Sequence, residues 1–169
     1  MGVLISNDGD IRIPIDPEEM ARIVETVLSM EGVERECSVS VSIVDEDEIQ
    51  SLNAMWRQID APTDVLSFEC DSPFDDEVPV GEAVELGDVI LCPSVIAAQA
   101  PDFDTTPADE FRLMLVHGVL HLLGFDHIDA EDAVQMEGRE LVILRSLAEG
   151  RGVDPQSITI GPTTSHLDD

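Results

Sequence analysis

Between Leu115 and His127 the chain reads Leu-Val-His-Gly-Val-Leu-His-Leu-Leu-Gly-Phe-Asp-His, and this stretch carries three of its four histidines. Residues four apart share a helix face, so His117 and His121 can aim their rings at one point. Leu115, Leu120, Leu122 and Leu123 cover much of the remaining surface, which requires the helix to be buried. Gly124 stands where that helix must end, because it can take the left-handed conformation that closes a last turn. Doubling back there would bring His127 to the same point. Three converging imidazoles, with a fourth position left for water, match the ligand set of a catalytic zinc, one ion per chain. Imidazole also suits nickel, copper and iron. A lone histidine on an apolar helix is more often a hydrogen-bonded core residue. Three buried together would crowd one another at a cost in free energy unless something bound them.

The spacing His-x-x-x-His-x-x-Gly-x-x-His is shared with the metzincin proteases, whose first histidine is followed by the glutamate that acts as general base. Here that position is Gly118, which cannot take a proton. A peptidase reading therefore lacks its central group.

A chain of 169 residues supports one domain, and 43% apolar content supports a packed core. No apolar run approaches the roughly 18 residues of a membrane span, and the first ten residues lack the layout of a secretory signal. Cys37, Cys70 and Cys92 are widely spaced and read as thiols of a reducing cytosol. There are 37 acidic residues against eight arginines and no lysine, a net charge of −29. That is the reverse of the basic footprint of an ordinary nucleic-acid binder. High-salt adaptation or a basic partner protein would each explain it.

Val3 to Ile5 and Ile11 to Ile15 read as short strands joined at Asn7-Asp8-Gly9-Asp10. Asp16-Pro17 starts a helix with Met20, Ile23, Val24, Val27 and Met30 inward, ending near Gly32. Ser38 to Val44 alternates serine with apolar residues, as a half-exposed strand does. Asp45 to Glu48 opens a helix with Ile49, Leu52 and Trp56 facing inward. Strands follow at Asp64 to Phe68 and Leu86 to Cys92, separated by an acidic, exposed and mobile loop from Glu69 to Glu85. Ser94 caps a short helix, and Thr106-Pro107 starts the long histidine helix. The last helix begins at Asp129 or Ala130, buries Val134, Leu141, Leu144 and Leu147, and ends at Gly150. Residues 1–150 then form one domain and 151–169 a loose acidic tail. Strands early and helices late predict an α+β fold: a small mixed sheet packed with about five helices. The metal site would lie on a central buried helix and the turn after it.

The segment His-Gly-Val-Leu-His-Leu-Leu-Gly-Phe-Asp-His, 117–127, resembles the signature of the YbeY family of bacterial endoribonucleases. Leu52-Asn53 through Trp56-Arg57, then Pro62-Thr63-Asp64-Val65-Leu66-Ser67-Phe68, is similar to a second block of that family. Leu86-Gly87-Asp88-Val89-Ile90 is similar to its Gly-Asp-Ile strand, and Met136 and Glu140 fall where the family has a Met and a Glu. The resemblance covers about residues 38–148. It implies a cytoplasmic, zinc-dependent hydrolase that cuts single-stranded RNA in 16S ribosomal RNA 3′-end maturation and ribosome quality control. It also implies that His117, His121 and His127 are the metal ligands and Arg57 the functional arginine. The basic surface such enzymes carry must be sparse in this chain.

A guanidinium forks onto two phosphate oxygens and never loses its charge, so Arg57 suits the negative charge that develops when a phosphodiester is cut. Asp126 can bond a ligand imidazole from behind or cap the turn. Asp88 is the other carboxylate candidate behind the ligands, although ordering a strand end is its more ordinary role. The expected partners are single-stranded RNA, the 16S precursor above all, and the small ribosomal subunit or a basic protein; no membrane and no DNA are expected. A non-catalytic assembly factor with structural zinc would need a fourth protein ligand, for which His166, Cys70 and Cys92 are the available groups.

Overall fold

The computed structural model describes residues 2–74, 78–125 and 129–160. Four strands, β1 (Gly2–Ser6), β2 (Cys37–Ile43), β3 (Val65–Glu69) and β4 (Val84–Leu91), form one sheet in the order β1-β2-β4-β3. The first three neighbours run parallel, and β3 lies antiparallel to β4 at the edge. Five helices accompany them: α1 (Pro17–Met30), α2 (Glu46–Arg57), α3 (Pro93–Gln99), α4 (Pro107–Leu122) and α5 (Ala130–Gly150). This is the α+β domain with a small mixed sheet that the sequence predicts. None of the described helices is long and apolar enough to cross a membrane.

Helix starts are written in side chains. Asp16, Asp45 and Asp129 each accept a hydrogen bond from the backbone N–H three residues on, at 2.8, 2.8 and 2.9 Å. The Thr106 hydroxyl does the same for α4 at 3.2 Å. Each such cap is worth about 1 kcal/mol.

The two faces of the sheet are unequal. Val39 and Val41 of β2, Val65 of β3, and Val89 and Leu91 of β4 join the main core with α1, α4 and α5. On the other face Leu66, Phe68 and Ile90 meet Ile49 and Leu52 of α2 in a smaller cluster. Helix α4 is central: it packs against β3, β4, α1, α3 and α5. Residues 108 and 110–122 of α4 are enclosed almost all round, as the leucine-rich histidine stretch requires.

Several local expectations are corrected. Residues 11–15 form no strand, and β1 pairs with β2 instead. The Asn7 side chain takes both backbone partners of Ile11, its Nδ2 donating to the carbonyl and its Oδ1 accepting from the N–H, each at 2.8 Å. Pro14, without an N–H, also suits this stretch poorly to a ladder. Trp56 is not buried but 60% exposed, its indole meeting the Phe68 ring of the edge strand β3 edge-on. Ser94 is not the cap of α3. Pro93 takes the first helical position, Cys92 becomes the cap, and the Ser94 hydroxyl donates to Glu46 at 3.1 Å. In α5 Val134 is 70% exposed, and the buried stripe runs through Met136, Glu140, Ile143, Leu144 and Ala148.

The acidic connection from β3 to β4 is tethered. Cys70 and Asp71 extend the ladder by donating to Leu86 and Glu85 at 2.9 Å each, and Arg35 donates to the carbonyls of Val78 and Pro79. Past Gly150 the chain turns through a 3₁₀ segment, Pro155–Ser157, and lays Ile158 and Ile160 on the core. Residues 161–169, with His166, lie outside the described residues.

Candidate metal centre

The site is built where α4 meets α5 and the sheet. His117 is 1% exposed, and its Nδ1 lies 2.7 Å from Oε2 of Glu140, which is fully buried on α5. A carboxylate only accepts, so the proton sits on Nδ1 and the lone pair is on Nε2. His121, one turn on, places its Nε2 3.1 Å from that Nε2, with the ring centroids 4.6 Å apart and the planes at 83°. Two ligands at about 2.0–2.1 Å from a tetrahedral metal stand roughly 3.3 Å apart. The two ring nitrogens can share one proton or both offer lone pairs to a cation. Their separation and the carboxylate behind His117 fit a metal, since such a backing fixes tautomer and ring orientation.

Helix α4 ends as the sequence predicts. Gly124 has φ +98°, its N–H donates to the His121 carbonyl at 3.0 Å, and the Phe125 N–H returns to Leu120 at 3.1 Å. Asp126 and His127 follow immediately and lie outside the described residues. Among the described residues no set of three His, Cys, Asp or Glu surrounds one point; two of the three expected ligands are brought together.

Gly118 is fixed by packing. A Cβ there would come within 2.7 Å of Val89 Cγ1 and 3.3 Å of both Ser67 Oγ and Val65 Cγ2. The Ser67 hydroxyl also donates to the Gly118 carbonyl at 3.0 Å. The histidine turn of α4 thus lies flush on β3 and β4, and a side chain where the proteases carry glutamate would have to displace Val89. At the other end of α4, Gln99 at the end of α3 donates through Nε2 to the buried carboxylates of Asp64 and Glu110 at 2.9 Å each, tying the start of β3 to the first turns of α4.

The other sequence-derived candidates lie on or beside α2, β3 and β4. Asp88 is exposed on β4, cross-strand from Phe68 and on the α2 side of the sheet, so it does not back the histidines. Arg57 is half-buried on the last turn of α2, beside Trp56. Cys92 sits in the α2-side cluster and Cys70 is exposed beyond β3, so neither joins the histidines. The residue missed as part of the site is Glu140. Its signal was a glutamate inside the apolar stripe between Met136 and Ile143, where only a buried partner makes a carboxylate tolerable.

Comparison with known proteins gives a consistent picture. The profile of the family described as Endoribonuclease YbeY matches residues 5–148. A protein named Endoribonuclease YbeY from Acinetobacter baumannii is 38% identical over 151 residues, 87% of this chain and 95% of the relative. One of the same name from Alteromonas mediterranea is 41% identical over 144 residues, 83% of this chain and 87% of the relative. A solution structure of a Thermotoga maritima protein superposes with a TM-score of 0.60 at 24% identity, covering 93% of this chain and 96% of that one. At that identity the likeness concerns the fold.

Proposed function

The chain belongs to the Endoribonuclease YbeY family, and on that premise we propose that it is a zinc-dependent endoribonuclease of single-stranded RNA. It is a hydrolase, and its substrate is RNA. Its finer role is 3′-end maturation of 16S ribosomal RNA and ribosome quality control, in the cytoplasm, with the small ribosomal subunit or a basic protein as partner.

The observation that carries the metal reading is the buried Glu140–His117 pair facing His121. A fully buried carboxylate is strongly unfavourable unless paired, and this pairing fixes the His117 ring with its Nε2 turned towards Nε2 of His121, as a pair of ligands requires. His117 and His121 would hold the ion with His127 from the following turn. When bound, zinc supplies a Lewis acid that polarises phosphoryl oxygen and lowers the pKa of water. The chain's own residues orient the site: Glu140 holds His117, Ser67 and Gly118 seat the turn on the sheet, and Arg57 meets the charge on the nonbridging oxygens. Gly118, pressed on Val89, holds the position where the peptidases carry their glutamate base, which weighs against peptidase chemistry.

The test is to incubate zinc-loaded protein and its His117→Ala variant with single-stranded RNA and with an unstructured protein. RNA should be cut, the protein left intact, and the variant inactive. Cleavage of the polypeptide, or RNA cleavage by the variant at the same rate, overturns the reading.

A further inference from the structure

The single tryptophan of this chain is exposed on a helix that ends at the functional arginine candidate. Trp56 is 60% accessible and Met55 beside it 66%. The indole is braced by Phe68, ring centroids 5.8 Å apart at 62°, and Phe68 is half-buried on β3. Exposing so large an aromatic surface is unfavourable, and this one is held in a defined orientation rather than folded onto the core.

Its position relative to the histidines follows from two consecutive residues of β3. Ser67 points to the α4 side and bonds the Gly118 carbonyl, between His117 and Val119. Phe68 points to the α2 side and holds Trp56. Strand β3 is the edge of the sheet, with β4 as its one neighbour among the described residues. The histidine turn and the indole therefore flank the same strand edge from opposite faces.

Charge indicates what such a platform is for. Of the eight arginines, Arg112 is committed to Glu19 and Asp109, Arg139 to Glu31, and Arg35 to the carbonyls of the β3–β4 connection. A chain at −29 with eight basic residues in all, at least three of them committed, is poorly suited to hold RNA chiefly through phosphate contacts. Base–aromatic stacking needs no charge and accepts any base, because every base has a π-face.

We propose that Trp56, braced by Phe68, is a base-stacking platform for single-stranded RNA. A strand crossing the free edge of β3 sets one base on the indole, with the backbone passing Arg57 towards the His117–His121 turn. The inference rests on the endoribonuclease reading and adds how the RNA is gripped.

With one tryptophan and no tyrosine, indole emission reports on Trp56 alone. The experiment mixes the zinc-loaded protein rapidly with a single-stranded RNA of about ten nucleotides and with a duplex of equal length, reading emission before a gel shows appreciable cleavage. Emission should change saturably with the single strand and not with the duplex. Trp56→Leu should raise KM about ten- to hundred-fold with kcat altered far less, and Trp56→Phe should restore most of the loss. Both variants should match the parent in thermal unfolding within a few degrees, which separates lost grip from lost fold. Unchanged emission during active cleavage overturns the proposal while the endoribonuclease reading stands. So does a leucine variant with normal KM, or an indole that responds to a basic ribosomal protein but not to RNA. If the parent cuts no single-stranded RNA at all, the endoribonuclease reading fails first.

Discussion

Glu140 Oε2 lies 2.7 Å from Nδ1 of His117, and both side chains are shut away from solvent. The bond joins α5 to α4 across 23 positions of sequence. It sets the tautomer of the histidine that starts the proposed metal-binding motif.

Replacing Glu140 should therefore be felt at the metal and in the fold. Glu140→Gln keeps an oxygen to accept from Nδ1 but loses the charge, and should weaken zinc binding about 10–100-fold. Glu140→Ala leaves the buried Nδ1–H unsatisfied as well and should destabilise the metal-free protein by about 1–3 kcal/mol. Competition with a chelator gives the first number and denaturant unfolding in excess EDTA the second. An unaltered zinc affinity in both variants would remove Glu140 from the centre.

Gly118 should tolerate nothing larger. Gly118→Ala pushes a methyl against Val89 and should cost about 1–3 kcal/mol, a fall of about 2–10 °C in Tm for a chain of this size. Because the clash is with Val89 Cγ1, Val89→Ala in the same molecule should recover part of that loss. A double-mutant cycle with no coupling between the two positions would contradict the flush packing of α4.

Arg57 should act as a fork rather than a point charge. Arg57→Ala and Arg57→Lys are both expected to slow RNA cleavage, since lysine lacks paired donors in fixed geometry. The check is kcat/KM on a short RNA with circular dichroism confirming the fold. Full activity in both variants removes Arg57 from the reaction.

Salt should act on this enzyme differently from a basic nuclease. Added salt screens the repulsion between the acidic surface and RNA, with a Debye length of about 8 Å near physiological strength. Few phosphate contacts mean few released counterions. Initial rates between about 50 and 500 mM monovalent salt should change little or rise. A log–log slope of about −3 or steeper would reveal a basic surface absent from this description.

Cys70 offers a local probe of the same field. Its thiol is exposed, yet desolvation and the carboxylates of Asp71, Glu85 and Asp88 push its pKa above the ordinary thiol value. The reactive thiolate is thus scarcer at neutral pH. The midpoint of its alkylation by iodoacetamide should lie above that of a cysteine in a flexible peptide. Because screening weakens the acids, the midpoint should fall as salt is added. Equal midpoints at low salt would show that these carboxylates exert no field there.

Most of the helix boundaries could be read from the chain because they are local: Asp16, Asp45, Thr106 and Asp129 cap within three residues of themselves. The histidine helix was legible for the same reason, its apolar residues and Gly124 lying inside one short stretch. What escaped was non-local or geometric. Ile11 to Ile15 has strand composition, but the Asn7 side chain closes the turn and β2 offers β1 a better partner. Trp56 has the right period to be buried, yet it meets the half-buried Phe68 of the edge strand and stays 60% exposed. Glu140 was visible as a family position and not as a partner of His117, because no periodicity within α5 reports on α4. Asp88 was a candidate to back the ligands, but the extra residue that β4 carries at Leu86 opposite Ser38 and Val39, and the alternation beyond it, turn it to the far face.

The flush contact of Gly118 with Val89 has a consequence for descent as well as for packing. The histidine spacing of this chain is one that peptidases also use, so the two chemistries look a single codon apart. They are not, because a glutamate after His117 runs into the side chains of Val89, Ser67 and Val65 beneath it. A change from one activity to the other therefore needs substitutions in the sheet as well as the glutamate. The glycine is thus a barrier in sequence space, and it holds the motif to one trade.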